Sequence, residues 1–118
     1  MNTVRKNQAE LMKLPQRDVW CFIGTEKMDT PVKSDHITMG MTEVPARVDM
    51  IPHTHETEEE IVFIIEGTGE VTVGGVTEPL EPFTAVKFPV GVEHQVRNTG
   101  GGVMKFVFMF NPAFSFGR

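Results

Sequence analysis

Glycine and proline interrupt this sequence at nearly regular intervals, and that punctuation limits the fold more than any other feature. Gly24-Thr25, Pro45, Pro52, Gly67-Thr68-Gly69, Gly74-Gly75, Pro79, Pro82, Pro89-Val90-Gly91 and Gly100 to Gly102 separate short runs rich in β-branched and aromatic residues. The runs are Val19 to Ile23, Asp35 to Glu43, Val48 to Ile51, Glu60 to Ile65, Glu70 to Val73, Thr84 to Phe88, His94 to Asn98 and Val103 to Phe110. Turn residues about every 8 to 12 positions between such runs mark a β-sandwich or barrel. No strand–helix–strand unit competes. One short helix is expected over Asn7 to Leu14, with Asn7 as cap and Pro15 as stop. With 118 residues there is room for one core, so residues 1–118 are read as a single all-β domain.

Composition narrows the partners. Hydrophobic residues make up 40% and charged residues 23%, an ordinary globular mix. Sixteen acids against eleven bases give a net charge of -5, and no basic cluster exceeds Arg5-Lys6. Nucleic acid and membrane surfaces are therefore excluded as expected partners, since both need a basic footprint. No apolar run approaches the ~20 residues of a transmembrane helix, and the polar start lacks the apolar stretch of a secretion signal, which predicts a cytoplasmic chain. The single cysteine, Cys21, lies in the apolar string Val19-Trp20-Cys21-Phe22-Ile23 and reads as a buried hydrophobe, not a reactive thiol. Tyrosine is absent, which removes one class of catalytic acid or base.

Three features carry chemistry. His53 and His55 are two apart, so in an extended segment they project to the same side, and two imidazoles can share one metal ion. Glu60 follows after four residues and opens the apolar run Ile61 to Ile65. An inward carboxylate there requires a cation, whereas an outward one simply ends the acidic loop Glu56 to Glu60. Pro89-Val90-Gly91 then delivers the chain into a strand on which His94, Val96 and Asn98 share a face, and His94 alone would fit a hydrogen-bonded core residue. One ion held by His53, His55, Glu60 and His94 accounts for all three. Gly67-Thr68-Gly69 is a turn, because Thr72 stands where a dinucleotide fingerprint needs its third glycine.

Pro52-His53-Thr54-His55, four residues, Glu60, six residues and Gly67 resemble the first motif of the cupin superfamily. Pro89-x-Gly91-x-x-His94-x-x-x-Asn98 is similar to the second, so motif one covers 52–67 and motif two 89–98. The glycine usual six residues before the second motif's proline is Phe83 here, a departure at a turn and not at a ligand. The resemblance implies an antiparallel jelly-roll, or double-stranded β-helix, barrel. It implies His53, His55, Glu60 and His94 as metal ligands and a homodimer as the assembly. His36 matches no ligand. It alternates with Thr38 and Gly40, while Ile37, Met39 and Met41 form the strand's expected apolar face, so His36 should point away from the core.

Three neutral imidazoles and one carboxylate leave an octahedral divalent ion two open positions, the pattern of a reactive site. Iron, manganese, nickel, cobalt, copper and zinc all suit the donors. Two function classes follow: a metal-dependent enzyme, led by oxygenase or dioxygenase-type cleavage of a small enol, diketone, catechol or thiol, and a non-catalytic module binding a small acid or sugar. In the enzyme Glu60 is the expected proton acceptor. Val62, Ile64 and Val96, with Val86 and Phe88, read as inward and apolar, so the cavity is expected to favour a substrate with little charge beyond its chelating oxygens. Neither Arg47 nor Arg97 can be placed inside, and Arg97 alternates away from His94.

Overall fold

Alternation of side chains along the strands accounts for most of the architecture. The computed structural model describes residues 2–118. Its strands are β1 (Glu10–Leu14), β2 (Arg17–Gly24), β3 (Val32–Lys33), β4 (Thr38–Val44), β5 (Glu59–Glu66), β6 (Gly69–Val73), β7 (Val76–Leu80), β8 (Ala85–Phe88), β9 (His94–Asn98) and β10 (Met104–Asn111). A seven-stranded sheet has the order β1-β2-β4-β10-β5-β8, with β3 added in parallel to β2, and a three-stranded sheet has the order β7-β6-β9. All other pairings are antiparallel, as the jelly-roll expectation requires. One core joins the sheets: Val62, Ile64, Phe106, Phe108 and Phe110 from the larger meet Val71, Leu80 and Val96 from the smaller. Among the described residues no helix is long and apolar enough to cross a membrane.

The expected helix over Asn7 to Leu14 is not formed. A 3-10 turn covers only Lys6–Gln8, and β1 follows at once. β1 and β2 form a hairpin whose two-residue turn is Pro15-Gln16, with Leu14 opposite Arg17. Leu11, Met12, Lys13 and Leu14 alternate in burial, and the partner strand β2 lets Met12 bury its side chain, which an isolated helical turn could not. β7 was hidden because Pro79 lies in it; as an edge strand, exposed except at Leu80, it tolerates the missing donor. The segment expected as a strand over Val48 to Ile51 instead runs beside β9 with isolated pairing: Met50 N–H donates to Val96 and Asn98 N–H to Val48.

The face assigned to β4 is inverted. Thr38, Gly40, Thr42 and Val44 are buried, while Met39, Met41 and Glu43 are only half-buried on the outer face. The inner face carries small residues because large ones come from opposite and beside it. A Cβ on Gly40 would lie 2.6 Å from the Phe108 ring and 2.3 Å from the Trp20 carbonyl, so glycine admits that ring. The Thr38 hydroxyl accepts a hydrogen bond from Phe114 N–H and donates one to the Phe114 carbonyl, each at 2.8 Å. That pair anchors the tail, residues 112–118, against the barrel.

Candidate metal centre

Backbone pairing brings the two motifs together before any side chain is considered. His53 and His94 exchange two hydrogen bonds, each 2.8 Å, and Gly91 N–H donates to the His55 carbonyl at 2.8 Å. Gly91 has φ 72°, in the left-handed region that the turn out of β8 requires. His53 and His55, two apart in extended chain, both face the cavity between the sheets. Glu60 enters from β5, paired in register with Phe88 on one side and Phe110 on the other. It points inward and is buried, 8% exposed.

His55, Glu60 and His94 offer ligand atoms that all lie within 4.8 Å of one another. Glu60 Oε1 is 3.2 Å from His55 Nε2 and 3.7 Å from His94 Nε2. The His53 ring lines the same cavity with its centroid 6.2 Å from that of His94, just outside this tight group. Aromatic rings fix the orientations. Phe88 stacks on His94 at 3.9 Å and 7°, and His55 meets the rings of Phe110 at 4.9 Å and Phe114 at 5.4 Å edge-on.

The electrostatics favour a cation here. Burial pushes the Glu60 carboxyl above the ordinary carboxylate value, opposed by its hydrogen bond to His55 and by the charges of His55 and Arg17. Burial, then the neighbouring His55, lowers His94 to about 4, with the Val92 backbone partly opposing. His53 is also lowered, by burial first and then by Arg17 and His55. His53 and His94 are therefore neutral at neutral pH with lone pairs to donate. His94 turns its Nε2 toward Glu60. A carboxylate this deep, with the Nε2 atoms of two imidazoles 3.2 and 3.7 Å from one of its oxygens, fits a divalent transition metal in chemistry and spacing.

The cavity above the cluster measures about 270 Å³. Phe88, Val96, Phe106, Phe108, Phe110 and Phe114 contribute apolar wall, as do Leu14 and Phe116. Val62 and Ile64 point inward as expected but pack in the core, and Val86 is half-buried. The tail residues Phe114 and Phe116 carry no strand period, and nothing in the sequence marks them as cavity wall.

Arg17 is the cavity residue that sequence reasoning missed, and it corrects the expectation of a wall without charge. Its position was legible: Cys21 and Val19 are buried in β2, so Arg17, a further two residues back, shares their inner face. Burial lowers the guanidinium pKa and Glu60 opposes that, but an arginine remains charged. Arg97 lies outside, 3.6 Å from Glu70, and Arg47 is exposed in a turn with φ 60°. His36 is exposed before β4, its N–H bonded to Ser34 Oγ. Cys21 is fully buried and its thiol is pushed up to about 12, chiefly by burial.

The family model described as a cupin domain matches residues 40–110, which take in both motifs and the strands that carry them. The chain is a cupin. Over 60 residues it is 35% identical to a polyketide synthase, CurC, of Streptomyces cyaneus, a match covering 51% of this cupin and 39% of that protein. The aligned part thus spans about two-fifths of the curated relative's length. Among solved structures, ectoine synthase from P. lautus superposes with a TM-score of 0.80 at 20% identity, covering 98% of this cupin and 80% of that chain. A predicted oxalate decarboxylase from Thermotoga maritima gives 0.79 at 19%, covering 93% and 98%. At such identities these likenesses speak for the fold alone.

Proposed function

We propose that this cupin is a metal-dependent enzyme of the oxygenase type acting on a small organic molecule, with His53, His55, Glu60 and His94 holding one divalent transition ion. The observation that carries the reading is Glu60, a buried carboxylate facing imidazoles at the bottom of a cavity large enough for a small molecule. A closed structural site would not sit at the base of such a cavity. Iron, manganese, nickel, cobalt, copper or zinc would supply Lewis acidity, and the redox-active ones electron transfer to dioxygen. A dioxygenase-type reaction places both atoms of one O2 in the product and needs no external reductant.

The chain's own residues supply the rest. Phe88 and Phe110 hold the rings of His94 and His55 in place. The phenylalanine walls exclude water from the reacting centre. Glu60 is the group placed to accept a substrate proton, since the sequence has no tyrosine and burial raises the affinity of this carboxyl for a proton. Similarity to a protein named as a polyketide synthase supports starting the substrate search with enols and diketones, groups that polyketide chains carry. The homodimer reading draws support from Phe63, Ile65 and Met109, apolar residues exposed on the outer face of β5 and β10.

The test combines metal analysis with oxygen uptake. Wild-type protein purified without a tag should carry close to one ion per chain, His55→Ala a small fraction of that with an unchanged β-type circular dichroism spectrum, and His36→Ala the full complement. Iron-, manganese- or copper-reconstituted protein should consume dioxygen with a small enol, diketone, catechol or thiol. Full metal in His55→Ala would refute the ligand assignment. No uptake under any redox metal with any of these compounds or their carboxylic-acid derivatives, alongside tight binding of a sugar or carboxylic acid, would replace the enzyme with a binding module.

A further inference from the structure

The wall of the cavity holds a cation, Arg17, that is not among the candidate metal ligands. Arg17 stands at the first position of β2, on the inner face, and only its Nη1 has a protein hydrogen bond, to the Pro15 carbonyl at 3.1 Å. Guanidinium carries five N–H donors in a fixed fork suited to a carboxylate. Among the described residues no carboxylate is close enough to form an ion pair with it. Its position is nonetheless held firmly. The neighbouring Gln16 clasps the segment leading to His53 at two points, donating to the Asp49 carbonyl at 2.9 Å and accepting from Ile51 N–H at 2.8 Å. The hairpin tip is thereby fastened to the chain that bears two of the histidines.

We propose that Arg17 is the anion-binding residue of this cavity, and that the substrate is a small monocarboxylic acid with an apolar body. Charge balance supports it. A divalent ion with neutral imidazoles and an ionised Glu60 leaves about one positive charge, and Arg17 adds another, in a cavity whose remaining walls are mostly phenylalanine. A monocarboxylate cancels one of those two charges, the one Arg17 brings, and a neutral ligand leaves both buried. Phe106, Phe108, Phe110, Phe114 and Phe116 then provide the surface against which an aliphatic or aromatic body rests. Sugars and polyols would leave their hydroxyls without partners along those walls.

This inference rests on the metal-dependent reading for the substrate's orientation and for half of the charge balance, whereas the charge that Arg17 contributes does not depend on it, and the experiment separates the two. Isothermal titration with benzoate and hexanoate, each against its primary amide, is run on metal-loaded protein, on metal-free protein and on Arg17→Met and Arg17→Lys. In wild type each acid should bind about tenfold or more tighter than its amide. In Arg17→Met that preference should fall by about 10-fold to 100-fold, with amide affinity and metal content unchanged, and Arg17→Lys should restore part of it. Persistence of the preference in metal-free protein upholds the role of Arg17 even where metal analysis refutes the enzyme reading. Equal binding of acid and amide in wild type would overturn the proposal, as would an Arg17→Met variant that keeps the preference. Loss of metal or of folding stability with no change in selectivity would make Arg17 a counter-charge for Glu60 and overturn it too.

Discussion

Replacing Asn98 by alanine should cost about 3 kcal/mol, although the side chain touches neither the metal cluster nor the cavity. Asn98 is 1% exposed, at the end of β9. Its Nδ2 faces the carbonyls of Val44 at 3.1 Å, Pro45 at 2.9 Å and Gly102 at 2.9 Å, and its Oδ1 accepts from Gly100 N–H at 3.0 Å. Two amide hydrogens serve three carbonyls, so one is shared, and the side chain amounts to two donor bonds and one acceptor bond. Each is worth about 1 kcal/mol, and more where its partner stays dry, as beside fully buried Val44. The sum, about 3 kcal/mol, is a large part of the 5–15 kcal/mol typical of a domain. With an unfolding entropy of about 2.1 cal/mol/K per residue, it lowers the melting midpoint by roughly 12 °C. Urea titration followed by the fluorescence of Trp20, the one tryptophan, reads this as a shift in midpoint at constant slope. Asn98→Asp should be at least as damaging, because it turns an oxygen toward three carbonyls. A loss under 1 kcal/mol for alanine, or an aspartate variant milder than alanine, would refute the hydrogen-bond account.

At Phe83, with φ 69° and 76% exposure, Phe83→Gly should be more stable than Phe83→Ala by about 1 kcal/mol, the reverse of the usual order, because both lose the contact with Phe63 and only glycine relieves the left-handed backbone. Equal urea midpoints for the two variants would count against it. In metal-free protein, the unfolded imidazole of His94 takes its proton near 6.5 and the folded one only near 4, so wild type should lose up to about 3 kcal/mol relative to His94→Gln as the pH falls between those values. The raised Glu60 carboxyl acts in the opposite direction but is present in both proteins, so parallel stability–pH curves would show that His94 titrates normally.

The parts of the site that were legible are those where turn chemistry fixes the register. Pro52 opens the extended segment of His53 and His55, Pro89 with Gly91 opens β9, and two-residue alternation then places His53, His55 and His94 inward. Glu60 was ambiguous alone and is settled by its pairing between Phe88 and Phe110. β4 was read inside out because the outer face of the large sheet is itself apolar, with Met39, Met41 and Phe63 on it, so hydrophobic alternation loses its meaning there. β1 gave a helical impression from a few residues whose structure depends on a neighbouring strand. The alternation that turns His94 inward does the same for Arg17, but the apolar run that marks β2 in the sequence begins at Val19, two residues after it. Phe114 and Phe116 are out of reach of sequence alone, since the tail has no period and is positioned by Thr38, on a strand whose apolar pattern points to the opposite face.

The tail has a consequence for how such a pocket diversifies. Residues 112–118 belong to no strand, yet Phe114 and Phe116 form one wall of the cavity. Their attachments are few: the pair of hydrogen bonds to Thr38, a 2.8 Å hydroxyl contact between Thr25 and Ser115, and the Arg118–Glu10 ion pair. A strand residue that lines the cavity is also committed to a ladder and to the core, so exchanging it risks the barrel. The tail serves no ladder, although Phe114 meets the His55 ring and both phenylalanines pack against Phe110. Substitutions at Phe116, whose ring contacts are with other phenylalanines and not with a ligand histidine, can widen, narrow or repolarise the chamber without breaking a strand pairing, so selection for a new substrate has a position outside the ladders to act on.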